Sequence, residues 1–202
     1  RQLKHLLGQK ALAKYRKHNN QTELKESLHW LEFASSMGLV RPRALLAHNY
    51  YVAKTLPYDL KESNKQLQIA HRAEDLYADF LVLKYTALGL NDRNLGTKVS
   101  TKHLLPEFAL AVKTGDVYMK NAYAWLLFFD KNFPEAIEWF KKSAALGDSD
   151  SQFTLGKLYQ NGALPGLEKD IEMAKKMFQD SAQQGNVHAI NALAKLADEK
   201  GN

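Results

Sequence analysis

The chain has 202 residues, 45% of them hydrophobic and 25% charged, a formal charge of +6 and no cysteine. Such a composition is that of an ordinary globular protein. The lack of cysteine excludes disulfides, thiolate metal sites and cysteine nucleophiles, and leaves the compartment open. No run of about 18 apolar residues occurs, so no segment reads as a membrane span.

Taken in chain order, the apolar spacing predicts about eleven helices, over 2–17, 23–37, 42–54, 60–76, 79–88, 102–114, 117–129, 134–146, 149–161, 168–184 and 187–199. The first is basic: Arg1, Lys4, Lys10, Lys14, Arg16 and Lys17 precede any acid, which first appears at Glu23. From Asp130 onward the balance reverses, with 11 acids against 9 bases. A basic amino-terminal end suits an acidic partner, a phosphate-rich surface or an anionic membrane, but a solvated helix face that only helps solubility is the favoured reading. The chain opens at Arg1, so any leader would lie out of view. Asp59 with Glu62 has the pattern of a capping box, and Asn132 with Pro134 marks a helix start. Pro42, Pro57, Pro106 and Pro165 fall at or near predicted loops, of which Gly89 to Ser100 is the longest. Ala122 to Phe129 is the most apolar stretch and reads as a buried helix, because Asp130 and Lys131 end it.

An internal repeat organises these helices. Ala136, Phe140, Ser143, Ala144 and Gly147 recur 38 positions later as Ala174, Phe178, Ser181, Ala182 and Gly185. Downstream, Ser151 and Leu155 return as Ala189 and Leu193 in the same register. An earlier copy has Trp30, Ala34, Ser35 and Gly38, followed by Leu46 to Tyr50 in line with Leu155 to Tyr159. Helix stops are expected at Gly38, Tyr77, Gly115, Gly147 and Gly185, which makes the unit ending at Gly147 short. Glycine there can take the left-handed conformation that ends a helix, and Asp148 and Asn186 follow as caps for the next. Small residues such as Gly156, Ala174, Ser181 and Ala182 mark where helices approach closely.

The run from Leu155-Gly156 through Tyr159, Gly162, Gly166-Leu167, Asp170, Ala174, Phe178, Ser181-Ala182 and Gly185-Asn186 resembles a Sel1-like repeat, a relative of the tetratricopeptide repeat. The resemblance is specific over 149–186, fair over 134–148 and 27–53, and rests on spacing over 54–130, where Tyr77 replaces the glycine and Thr86 the small residue. It implies an all-α fold: a right-handed α-solenoid of about five helix-turn-helix units in one domain over 1–202, with units near 1–38, 39–77, 78–115, 116–147 and 148–185 and a terminal capping helix over 186–202. It also implies a concave face lined by the first helix of each pair, and bacterial adaptors of the cell envelope as the commonest relatives.

Chemistry-bearing patterns are not found. The seven histidines show no paired ligand spacing, and neither a phosphate-cradling loop nor a nucleophile elbow occurs. Glu23 with Glu26 and Glu168 with Glu172 read as exposed charge. The chain is therefore expected to have no catalytic, cofactor or metal site and to act as a protein-binding adaptor. Side chains expected on the concave face are His5, Gln9, Arg41, His48, Tyr51, Tyr118, Asn121, Trp125, Phe128, Asp150, Lys157, Gln160 and Asn161. Trp125 with Phe128 is the leading hot-spot pair, with the core as its competing location. The expected partner is a protein or extended peptide. An immunity role against a secreted toxin enzyme and an envelope or secretion scaffold are the alternatives. Nucleic acid ranks last, since the basic helix lacks interleaved aromatics.

Overall fold

The computed structural model describes residues 21–52, 59–90, 99–114, 117–162 and 164–198. The basic helix expected over 2–17, with His5 and Gln9, and the stop expected at Gly115 lie outside the described residues. The rest is all-α: ten α-helices, with one isolated bridge between Leu164 and Leu167 and no strand among the described residues.

The chain divides into two compact units, 1–99 and 100–202. The first contains α1 (Gln21–Ser36), α2 (Val40–Val52), α3 (Leu60–Arg72) and α4 (Leu76–Ala87). In it α2 pairs closely with α3, α1 packs on α2, and α4 packs on α3 and α2. The second contains α5 (Thr101–Ala111), a single 3-10 turn (Val112–Thr114), α6 (Val117–Phe129), α7 (Phe133–Ala145), α8 (Ser149–Asn161), α9 (Ile171–Gln183) and α10 (Val187–Asp198). Here α6 with α7 and α8 with α9 form hairpins, and each helix packs mainly on its neighbours in sequence. That is the organisation of stacked helical repeats.

Local chemistry explains where the helices begin and end. Asp59, Asp75, Asp148 and Asp170 each accept a hydrogen bond from the backbone N–H three residues on, at 2.8–2.9 Å. Each such cap contributes about 1 kcal/mol. Glu62 does not close a capping box, because its carboxylate accepts from Lys65 and Gln66 instead. At the junctions Gly38, Gly147 and Gly185 take positive φ, and the cap residue follows directly after Gly147 and Gly185. Between α3 and α4 the left-handed residue is Glu74, with φ 57°, followed by the cap Asp75. Tyr77 is thus no helix stop. It lies in the first turn of α4, buried in the core. The repeat register of α4 moves back by three residues, so that Leu83 rather than Thr86 stands at the small-residue position. Pro106 likewise lies inside α5 rather than in a loop.

The recurring serines have one function in both hairpins of the second unit. Ser143 Oγ in α7 donates to the carbonyl of Val117, the first residue of α6, and Ser181 Oγ in α9 donates to that of Ser149, the first residue of α8. Both bonds tie the end of a second helix to the start of the first. They place α6 in register with α8 at a shift of 32 residues, the shift that also superposes the two helix ranges. The core beneath consists of Ala124, Leu127, Ala136, Phe140, Ala144 and Leu155, then Ala174, Phe178 and Leu196.

Candidate interaction surface

In each hairpin a small residue of the first helix lies beneath the second. Gly156 is where this approach is tightest: a Cβ added there would stand 2.5 Å from Phe178 Cε1. Ala47 and Ala124 hold the corresponding positions in α2 and α6, and both are fully buried. The next residue along each first helix defines a second column. That column contains His48, Trp125 and Lys157, and one turn further along stand Tyr51, Phe128 and Gln160. Arg41, Tyr118 and Asp150 form a third column nearer the helix starts.

In the first unit these positions have been drawn into the fold. His48 is 5% exposed, with its Nδ1 2.9 Å from the hydroxyl of Tyr85 in α4. Tyr51 is half-buried, its ring 4.8 Å from that of Tyr85. Arg41 Nε donates to Asp75 Oδ2 at 2.6 Å, so the cap of α4 also carries an ion pair. His48 therefore lies beneath the surface. The cause is its neighbour: α4 brings Tyr85 over it, which the register alone does not reveal. Lys84 is the α4 member of the same column. The repeat alignment missed it through the three-residue error, and its stem is buried with Nζ 5.9 Å from the Phe80 ring centroid.

In the second unit most of the expected residues reach the surface. Asn121 is the exception: it is 3% exposed and donates to Ser151 Oγ at 2.8 Å, joining α6 to α8. Tyr118, Trp125 and Phe128 are half-buried. Trp125 and Phe128 both lean on the core with part of each ring, and their centroids are 5.5 Å apart, edge to face. Phe129 and Phe140 also lie 5.5 Å from Trp125, and Phe133 is 5.3 Å from Phe128. On α8, Lys157 and Asn161 are exposed, while Asp150 and Gln160 are half-buried. Lys157 Nζ donates to Gln160 Oε1, and Asp150 accepts from Asn186 at 3.4 Å. Phe153 was not singled out from the sequence, yet it is half-buried between Phe178 and His188, with centroids at 5.8 and 6.0 Å. The surface is thus an aromatic row on α6 beside a polar row on α8.

Two phenols, Tyr123 of α6 and Tyr50 of α2, are shifted by their surroundings. Burial pushes the hydroxyl of Tyr123 above its ordinary range, with Glu135 adding to the effect. Burial, then Glu32, Glu62 and Asp59, does the same for Tyr50. Both remain protonated donors at neutral pH. Glu168 and Glu172 are exposed.

The profile of the Sel1 repeat matches residues 23–39, 121–148 and 149–186. The chain carries Sel1 repeats. Over 88 residues it is 34% identical to the chitin synthase regulator SKT5 of Saccharomyces cerevisiae, a stretch that spans 41% of this chain and 12% of that protein. Among solved structures it is similar to a Sel1 repeat protein from Oxalobacter formigenes, at 22% identity and a TM-score of 0.48, over 96% of this chain and 78% of that one. It is also similar to c5321, a protective antigen of uropathogenic Escherichia coli, at 20% identity and a TM-score of 0.46, over 98% of this chain and 41% of that one. Sel1 repeats generally mediate protein–protein interactions and are typically non-catalytic. No described helix is long and apolar enough to cross a membrane.

Proposed function

We propose that the chain is a non-enzymatic adaptor that binds a partner protein through the first-helix faces of its Sel1 repeats, chiefly those of α6 and α8. The observation that supports this most is the pairing of exposed Lys157 and Asn161 and half-buried Gln160 with the half-exposed aromatics Tyr118, Trp125 and Phe128. Aromatic anchors beside a polar rim are the composition of a binding hot spot. A photo-crosslinking side chain at Lys157 tests the reading, with Glu138, exposed on α7, as the control position. A protein captured from Lys157 and lost in a Gln160→Ala/Asn161→Ala chain of unchanged melting temperature supports it. Equal capture from both positions refutes it.

A second reading is favoured by the 34% identity to a protein named as a regulator of chitin synthase. On that reading the partner is an enzyme whose rate changes when this chain binds. Adding the chain to the captured partner and measuring its turnover separates a regulator from a passive scaffold. An inhibited secreted toxin would make the chain an immunity protein, and an envelope component a secretion scaffold. Retention on polyanions that falls steeply with salt would instead favour nucleic acid bound by the basic residues from Lys10 to Lys17.

A further inference from the structure

We propose that Asn161 and Gly162 form a spontaneous deamidation site, gated by the last turn of α8, which replaces an amide of the polar row by a carboxylate.

Of the eleven glycines in the chain only Gly162 follows an asparagine. Deamidation favours that pair, because the backbone nitrogen after the asparagine must reach its side-chain carbonyl carbon, and a residue without Cβ leaves the approach open. The fold holds the glycine in place. Gly162 has φ 62°, and a Cβ on it would stand 2.5 Å from Lys169 Cβ and 2.7 Å from the Lys169 backbone nitrogen. Asn161, the last residue of α8, is exposed. The other exposed asparagines among the described residues, Asn132 and Asn191, precede Phe133 and Ala192, whose side chains crowd the same approach.

The reaction needs only water. The Gly162 nitrogen forms a bond to Asn161 Cγ, the Cγ–Nδ2 bond breaks, and the side-chain nitrogen leaves as ammonia with the proton given up by Gly162. Water then opens the cyclic imide at either carbonyl, giving aspartate or isoaspartate. In the folded chain the Gly162 N–H donates to the Leu158 carbonyl at 2.9 Å, which closes the last turn of α8. A nitrogen held in that bond points back along the helix, so the reaction waits for the turn to open, and helix ends open at the least cost.

The product changes the surface where it forms. Lys157 stands one turn before residue 161, and its Nζ donates to the neutral amide of Gln160 at 3.0 Å. A carboxylate at 161 has the i, i+4 spacing that pairs with a lysine, and it opposes the helix dipole at the α8 terminus. The row thereby loses its free positive charge. A consequence for binding rests on the reading of α8 as part of the interaction surface, whereas the reaction itself does not.

The full chain, held folded at mildly alkaline pH and mapped by peptide mass spectrometry over time, tests the site. Asn161 is expected to convert at least tenfold faster than Asn132 or Asn191, with isoaspartate among the products. It should also convert several-fold slower than in a synthetic peptide of residues 155–169, which is too short to hold the helix. Urea below the unfolding transition should narrow that gap. Conversion no faster than at Asn132 and Asn191 overturns the site, and conversion as fast as in the peptide overturns the gate. Because mass is read and not capture of a partner, a failed binding surface leaves this outcome untouched.

Discussion

Replacing Gly156 by alanine tests the closest approach in the second unit. In an exposed helix interior this change stabilises by about 1 kcal/mol through helix propensity. Here the new Cβ would stand 2.5 and 2.6 Å from two ring carbons of Phe178 and 3.1 Å from a third. Phe178 is fully buried and flanked by the ring of Phe153, so it has little room to turn away. Overpacking of this kind costs about 1–3 kcal/mol. The net expectation is a loss of up to about 2 kcal/mol, measured by urea unfolding followed by circular dichroism at 222 nm. Phe178→Leu alone should also destabilise, yet Gly156→Ala in that background should recover much of its loss, because the narrower side chain makes room. The reasoning fails if Gly156→Ala raises stability by the 1 kcal/mol of an open helix site. It fails equally if the two substitutions are additive within about 0.5 kcal/mol, the behaviour of sites that do not touch.

Other consequences are as specific. Gly147→Ala meets nothing within 4 Å but holds φ at 88°, so it should cost about 1 kcal/mol from backbone strain alone and be indifferent to Phe178→Leu. Glu74→Gly, at φ 57°, should raise the melting midpoint by about 0.5–1 kcal/mol in equivalent stability. Tyr85→Phe removes the hydroxyl from buried His48 Nδ1 and should cost about 1–3 kcal/mol in urea unfolding, with no loss of helical signal in the folded state. The raised pKa of Tyr123 makes a contribution to stability that is whole below pH of about 10. It disappears as pH rises through the higher value of the folded state. Absorbance at 295 nm should therefore show a late ionisation step that Tyr123→Phe removes.

The hairpins of the second unit were legible because their signals are redundant. Phe140, Ser143 and Phe178 mark the buried stripe, Gly147 and Gly185 the stops, and Asp148 and Asp170 the caps, and every one of these takes that role. Where one mark was missing the register slipped. Glu74 takes the left-handed conformation that glycine favours, so the junction between α3 and α4 had no glycine to show it, and Tyr77 was read as the stop. The candidate surface depended on a finer distinction. A repeat register gives the side of a helix on which a residue lies; of the residues it puts forward, Lys157 and Asn161 are exposed. It does not give the height of the neighbouring side chain. His48 is covered because α4 presents Tyr85, and Asn121 because Ser151 on α8 is within hydrogen-bond reach. Those facts belong to pairs of residues far apart in sequence.

The turn between α6 and α7 spans only three residues, whereas nine separate α8 from α9. Yet Ser143 and Ser181 grip the opening residue of their respective partner helices in the same way. Spacing at these hairpin tips can therefore vary while the junctions at Glu74, Gly147 and Gly185, each a left-handed residue followed by a cap, stay at a few residues. An insertion between Asp130 and Asn132 would lengthen one tip and leave the neighbouring hairpins undisturbed. A single residue added between Gly147 and Asp148 would rotate everything after it.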